Sequence, residues 1–177
     1  MDAFAELGLE RRLVISDEEI RAAFREAGKS RHPDAGGDAG DFERLQQAVT
    51  LLTDPSERLK QWLELEGIEG SLRGAVGSGV MDLFSEIGRK LQQADAVIRE
   101  KEAAQSLLAK ALLEAKAQDC RERLEVCQQR LEVERRQREE SFPAVESGRA
   151  DGWQLARELA FIGKWLGQVR ARYAALW

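Results

Sequence analysis

The run Ile20-Arg21-Ala22-Ala23-Phe24-Arg25-Glu26-Ala27-Gly28-Lys29-Ser30-Arg31-His32-Pro33-Asp34 holds the single histidine of a 177-residue chain. Ile20, Ala23, Phe24 and Ala27 recur at the helical period and mark an apolar face. Arg21, Arg25 and Lys29, four residues apart, form a basic stripe on a different face. The spacing predicts that Glu19 and Glu26 lie too far round the helix to neutralise that stripe directly. Pro33 removes a backbone donor and fixes φ, so the helix must end near Arg31. Asp34 and the glycines after it open a tight loop, which would present an imidazole and a carboxylate at the tip of a helix pair. Three spaced cations alone read as a solvated face. Beside such a loop they form a positive surface able to dock on an acidic partner and steer its approach.

The flanks extend the pattern. Upstream, Phe4-Ala5-Glu6-Leu7-Gly8-Leu9 predicts a short helix or turn, with Gly8 as its stop. Ser16-Asp17-Glu18-Glu19 is a capping box that starts the helix ending near Arg31. After the turn Ala35-Gly36-Gly37-Asp38, a second helix is expected from about Asp41. Its buried face is Phe42, Leu45, Val49 and Leu52, with Ala48 beside them, and it can pack antiparallel against Ile20, Phe24 and Ala27. Asp54-Pro55-Ser56-Glu57 then supplies an N-cap, a proline at the first helical position and a glutamate at the third. The helix that follows carries Leu59, Trp62 and Leu63 and ends around Gly67.

Residues 2 to about 66 resemble a J-domain, the module of the DnaJ co-chaperones. The likeness rests on Phe4-x-x-Leu7-Gly8-Leu9, on Ile20-x-x-x-Phe24-Arg25, and on His32-Pro33-Asp34 in the loop after it. Ala48-Val49-x-x-Leu52 and Asp54-Pro55-x-x-Arg58 follow in register. A bare His-Pro-Asp is a weak motif; five elements in order are a specific one. The resemblance implies a protein that binds an ATP-loaded seventy-kilodalton heat-shock chaperone of the DnaK class and accelerates its ATP hydrolysis. Arg21, Arg25 and Lys29, with Arg31 at the helix end, would dock on an acidic face of the chaperone. Asp34 would pair with a chaperone cation, His32 would supply a hydrogen bond, and Pro33 would hold the loop. Such an effect requires contacts that favour one chaperone state over the other. This sequence departs from the family at Ala35, where Lys is frequent, and at Ala27-Gly28, where Leu-Ala is usual. Gly28 costs about 1 kcal/mol of helix propensity.

Beyond Glu66 comes a glycine-rich connector to Gly79, much shorter than the Gly/Phe-rich segment of general DnaJ proteins, and no zinc repeat of paired cysteines follows. Val80, Phe84, Ile87, Leu91, Ala94 and Ile98 alternate steps of four and three, a heptad seam. The pattern falters at Lys101-Glu102 and resumes as Ala104, Leu108, Ala111 and Ala115. It then shifts phase to Leu113, Ala117, Cys120, Leu124, Cys127 and Leu131. One very long helix, or two with a break near 99–106, would both give this. Residues 141–150, with Pro143 and Gly148, are expected as a loop. A last helix opens at Asp151 with the seam Leu155, Leu159, Ile162, Leu166, Val169, Tyr173 and Leu176. Trp153, Trp165 and Trp177 fall partly off this seam, where they widen the core or make an interface.

The expected fold is therefore all-α. A J-domain of four helices with an antiparallel central pair spans 1–66 and a linker spans 67–79. A coiled-coil-like hairpin or three-helix bundle occupies 80–177. A J-domain followed directly by a helical bundle is similar to the HscB type of co-chaperone, whose members deliver the iron–sulfur scaffold IscU to a specialised DnaK-class chaperone. They hold it through apolar and acidic residues on the first bundle helix. Met81, Phe84 and Glu86 occupy the comparable stretch here, although the repeated Met/Leu-Arg-Glu pattern of that family is not reproduced.

Composition bounds the alternatives. A third of the residues are charged, the net charge is -5, and no segment is strongly basic, so nucleic acid is not an expected partner. No apolar run approaches a membrane span and the N-terminus has no signal-peptide pattern, which leads to the expectation of a cytoplasmic protein. Cys120 and Cys127 on one helix would be roughly 10 Å apart, beyond the ~7 Å reach of a disulfide. They read as small apolar residues on a packed seam. No metal set, phosphate-binding loop or catalytic constellation is present, so neither a cofactor nor an enzyme is expected. The competing reading is a coiled-coil interaction or assembly protein, with homo-oligomers compatible with its seams, in which the J-domain is a structural remnant.

Overall fold

A computed structural model describes residues 1–31 and 38–177, all of whose regular structure is helical. Helix α1 (Ala3–Glu6) starts because the Asp2 carboxylate accepts from the backbone N–H groups of Phe4 and Ala5, both at 3.1 Å. Gly8, at φ +66°, reverses the chain, and Leu9 N–H returns to the Phe4 carbonyl at 2.8 Å. Helix α2 (Asp17–Arg31) uses half of its capping box: the Ser16 hydroxyl accepts from Glu19 N–H at 3.2 Å, while the Glu19 carboxylate pairs with Arg12. Helix α3 (Ala39–Thr53) begins two residues before the expected start. Asp38 caps it, accepting from Gly40 and Asp41 N–H. Helix α4 (Pro55–Leu65) is capped by Asp54 with Pro55 at its first position. The expected turn at 32–37, including the helix-pair tip, lies outside the described residues.

Helix α5 (Ser78–Ala103) is followed by α6 (Leu107–Glu139), the short α7 (Phe142–Glu146) and α8 (Gly152–Ala175). The long periodic region is thus two helices: α5 ends at Ala103 with Ala104 as its C-cap, and the Ser106 hydroxyl caps α6 by accepting from Ala109 N–H at 3.1 Å.

The chain forms two compact units, one of residues 1–74 with 138–160, the other of 75–137 with 161–177. The boundaries read from the sequence, 1–66, 67–79 and 80–177, divide the chain differently. The first unit reaches forward to recruit residues 138–160, and most of the expected linker belongs to it.

In the first unit α3 packs against α1, α2 and α4. Phe4, Leu13, Ile20, Leu45, Ala48, Leu52, Leu59 and Leu63 are buried in one cluster, each large side chain contributing about 1.5–3 kcal/mol by removal from water. Phe24 and Phe42 meet at 5.9 Å between ring centroids. A Cβ at Gly28 would lie 3.9 Å from Phe42, ordinary contact, so the helix pair does not require glycine there. Phe142, Val145, Trp153, Leu155, Ala156 and Leu159 enter the same cluster. The stretch expected as a loop therefore contains a core-forming helix, α7, because Phe142 and Val145 find apolar partners far away in sequence. Leu13 N–H donates to the Glu146 carboxylate at 2.5 Å and the Ser56 hydroxyl to the Ala156 carbonyl at 3.0 Å. The connector is strapped down as well. Trp153 Nε1–H donates to the Ile68 carbonyl at 2.9 Å, and Arg157 donates to the Ser71 carbonyl at 3.0 Å. A Cβ at Gly70 would sit 2.2 Å from the Trp153 ring, so only glycine permits this approach.

In the second unit three seams meet. Val80, Phe84, Ile87, Leu91 and Ala94 of α5 are buried with Ala117, Cys120, Leu124, Cys127 and Leu131 of α6 and with Ile162, Leu166, Val169 and Leu176. The first of the two phases expected for α6 is not a seam: Leu108 is 71% exposed, and Ala111 and Ala115 are exposed too. Leu107 and Leu112 share that exposure. Both cysteines are free thiols, and burial pushes each thiol above its ordinary range. Arg121, nearly fully buried, donates to the Leu176 carbonyl at 2.7 Å and to the Glu114 carboxylate at 2.5 Å, with its guanidinium 4.3 Å from the Trp177 ring centroid. Trp177 remains mostly exposed and Trp165 is half-buried, so only Trp153 of the three is a core residue.

Candidate functional site

The basic stripe is built by the burial of the opposite face of α2. Ile20 is fully buried and Ala23, Phe24 and Ala27 pack against the same core, which fixes the rotation of the helix and leaves Arg21, Arg25 and Lys29 exposed. Arg21 and Arg25 make no ion pair with any described residue. Lys29 does: its Nζ lies 2.5 Å from the Glu26 carboxylate, three residues back. This corrects the expectation that Glu26 leaves the stripe alone, because residues three apart on a helix are neighbours. Arg31 differs again, donating to the Glu6 carboxylate at 3.1 Å and reaching the Glu6 carbonyl at 3.4 Å. It ties the end of α2 to α1. Within the stripe, Arg21 and Arg25 are thus the exposed cations without an ion pair among the described residues. His32, Pro33 and Asp34 lie outside the described residues.

The three residues expected to touch a client separate into two environments. Met81 and Phe84 line an open trough of about 590 Å³ in the second unit, together with Gly88, Arg89, Phe161 and Trp165. Phe84 stacks on Trp165 with centroids 5.2 Å apart and planes 9° from parallel, and lies 5.3 Å from Phe161. Glu86 does not line the trough. Its carboxylate accepts from Arg130 at 2.7 Å and pairs with Lys90 at 3.2 Å. The hydrogen bond from Arg130, then that from Lys90, holds its carboxyl below the ordinary range. Glu86 is an intramolecular anchor between α5 and α6. Sequence reasoning missed Arg89, Phe161 and Trp165 as trough residues; the off-seam position of Trp165 was the signal available.

Among the described residues, no group of three or more His, Cys, Asp or Glu is arranged to hold a metal ion. None of their helices is long and apolar enough to cross a membrane.

No protein-family model matches the chain. Among curated proteins it is 46% identical over 45 residues to chaperone protein dnaJ A6 of Oryza sativa subsp. japonica, a quarter of this chain and 11% of that protein. It is 37% identical over 74 residues to chaperone protein dnaJ 2 of Arabidopsis thaliana, and 35% identical over 74 residues to human DnaJ homolog subfamily A member 2. Each of these matches covers 41% of this chain and 18% of the relative. The chain thus spans less than a fifth of the length of the curated relatives it matches. Among solved structures, chaperone HscB from Vibrio cholerae superposes with a TM-score of 0.57 at 19% identity, covering 97% of this chain and 96% of that one.

Over up to 74 residues the chain is similar in sequence to DnaJ proteins. Over nearly its whole length the all-α fold is that of chaperone HscB from Vibrio cholerae.

Proposed function

We propose that this chain is a co-chaperone that binds a DnaK-class chaperone through α2 and the His32-Pro33-Asp34 segment, stimulates its ATP hydrolysis, and presents a protein client through the C-terminal helices. The observation that supports it most is the presence of two exposed arginines, Arg21 and Arg25, without an ion pair among the described residues, on a helix whose other face is locked into the core. Their charge is available to an acidic partner and is held at a fixed spacing. His32, Pro33 and Asp34 follow that helix directly in sequence. The chain acts as an activator, with hydrolysis performed by the chaperone. The trough at Met81 and Phe84 is the proposed client surface. An iron–sulfur assembly scaffold of the IscU type is the client that the HscB-like fold favours.

The alternative, an assembly protein with a remnant J-domain, would be favoured by a continuous α5–α6 helix with a seam turned outward. The break at Ala104–Ser106 and the inward seams count against it. Single-turnover ATP hydrolysis by a DnaK-class chaperone, with this protein and with its His32→Gln variant, tests the proposal. Acceleration that disappears in the variant is the expected result. No acceleration by the intact chain, across the DnaK-class chaperones of its own organism, overturns it.

A further inference from the structure

The trough between α5 and α8 carries a charge opposite to the one expected of it. Its floor is aromatic, Phe84 stacked on Trp165, and the indole lies against α5 at Gly88, where a Cβ would be in ordinary contact 3.4 Å from the ring. Its lips are apolar and open, Met81 at 49% and Phe161 at 39% exposure. The acid that sequence reasoning assigned to this surface, Glu86, is turned onto Arg130 and Lys90 and saturated by them. The one charged side chain lining the trough is Arg89, exposed and without an ion pair among the described residues. The Ser85 hydroxyl is turned back to the Met81 carbonyl at 3.1 Å and offers no competing acid. Asp82, exposed two turns before Arg89 on the same face of α5, is not among the residues that line the trough.

The geometry points to a partner segment that is both apolar and acidic: an aliphatic or aromatic side chain enters the trough, and a carboxylate beside it meets Arg89. This deepens the client-surface role proposed above and rests on it. A guanidinium at the rim of an aromatic trough discriminates by sign. It gains a charge-assisted, bidentate bond from Asp or Glu and repels Lys or Arg.

The test is fluorescence anisotropy of the full chain with three short labelled peptides sharing a Leu-Phe core, flanked by glutamates, glutamines or lysines. An exposed pair is worth up to about 1 kcal/mol, and the two charged peptides sit on opposite sides of neutrality. The glutamate peptide is therefore expected to bind about tenfold tighter than the lysine peptide at low salt, with the glutamine peptide between. Arg89→Glu, at an exposed position, is expected to reverse the order. Equal binding of all three peptides, abolished by Met81→Asp, overturns the charge preference and leaves the trough as a client surface. An order unchanged by Arg89→Glu also overturns the inference. Binding of none of them overturns both, independently of the ATPase measurement.

Discussion

Arg58 shows how much of the first unit hangs on one side chain. It is 3% exposed, donates to the Leu52 carbonyl at 2.7 Å, lies 3.6 Å from the Glu139 carboxylate, and covers the Phe142 ring at 5.5 Å from its centroid. It joins the end of α3 to the end of α6 and to α7. Removing one member of a buried pair leaves the other uncompensated, at a cost of roughly 3–5 kcal/mol. Glu139 keeps some solvent, so Arg58→Ala is expected to destabilise by about 2–4 kcal/mol, with Arg58→Met falling between that variant and the native chain. Urea denaturation read by circular dichroism measures it, and an unchanged midpoint would show that the guanidinium contributes only as a surface charge. The motif Asp54-Pro55-x-x-Arg58 marked this arginine in the sequence. Its task was not legible there, because two of its partners stand more than eighty residues away. Cys120 and Cys127 were legible: small, apolar and seven residues apart, they are buried on the seam where the period placed them.

At the level of elements, caps and periods were the reliable signals. Ser16, Asp54 and Pro55 start their helices as local chemistry dictates, and the α5 and α8 seams are buried with only Ile98 and Tyr173 at partial depth. Period alone does not say whether a facing element exists. Leu108, Ala111 and Ala115 have the spacing of a seam and face water, whereas Ala117, Cys120, Leu124, Cys127 and Leu131, in the other phase, are buried with α5 and α8. The same limit applied to α2. Its stripe was visible, but which cations are already engaged depends on rotamers, and Lys29 is engaged with Glu26. Arg25 and Lys29 should therefore differ. Arg25→Ala is expected to raise the concentration needed for half-maximal ATPase stimulation about fivefold, equivalent to ~1 kcal/mol, and Lys29→Ala less than twofold. Glu26→Gln, which frees Lys29, should lower that concentration at low salt. Equal losses at positions 25 and 29, measured by titration, would contradict this division.

For the molecule as a whole, the chain does not divide where its composition changes. The Gly-rich stretch after Glu66 reads as a hinge, yet Ile68 and Ser71 offer their carbonyls to Trp153 and Arg157. No local pattern reveals that, since tryptophan and glycine are each common in other settings. Residues 138–160 complete the core around Phe4, Leu52 and Leu63, with Gly152 so close that a Cβ would meet Leu63 at 2.5 Å. A fragment of residues 1–74 would expose the surface that Phe142, Val145, Trp153, Leu155, Ala156 and Leu159 cover. It is expected to retain helical far-ultraviolet circular dichroism but to melt without a cooperative transition. A cooperative melt at the temperature of the intact chain would show that the first 74 residues carry their own stability.

The bond from Trp153 to Ile68 spans 85 residues of sequence. A ribosome delivers the chain from its N-terminus at about 5–20 residues per second. While α1 to α4 emerge, the side chains that finish their core have not yet been made. The N-terminal module must wait, part-assembled, until translation has passed Leu159. Its apolar surface, uncovered during that interval, is of the kind that makes folding intermediates prone to aggregate.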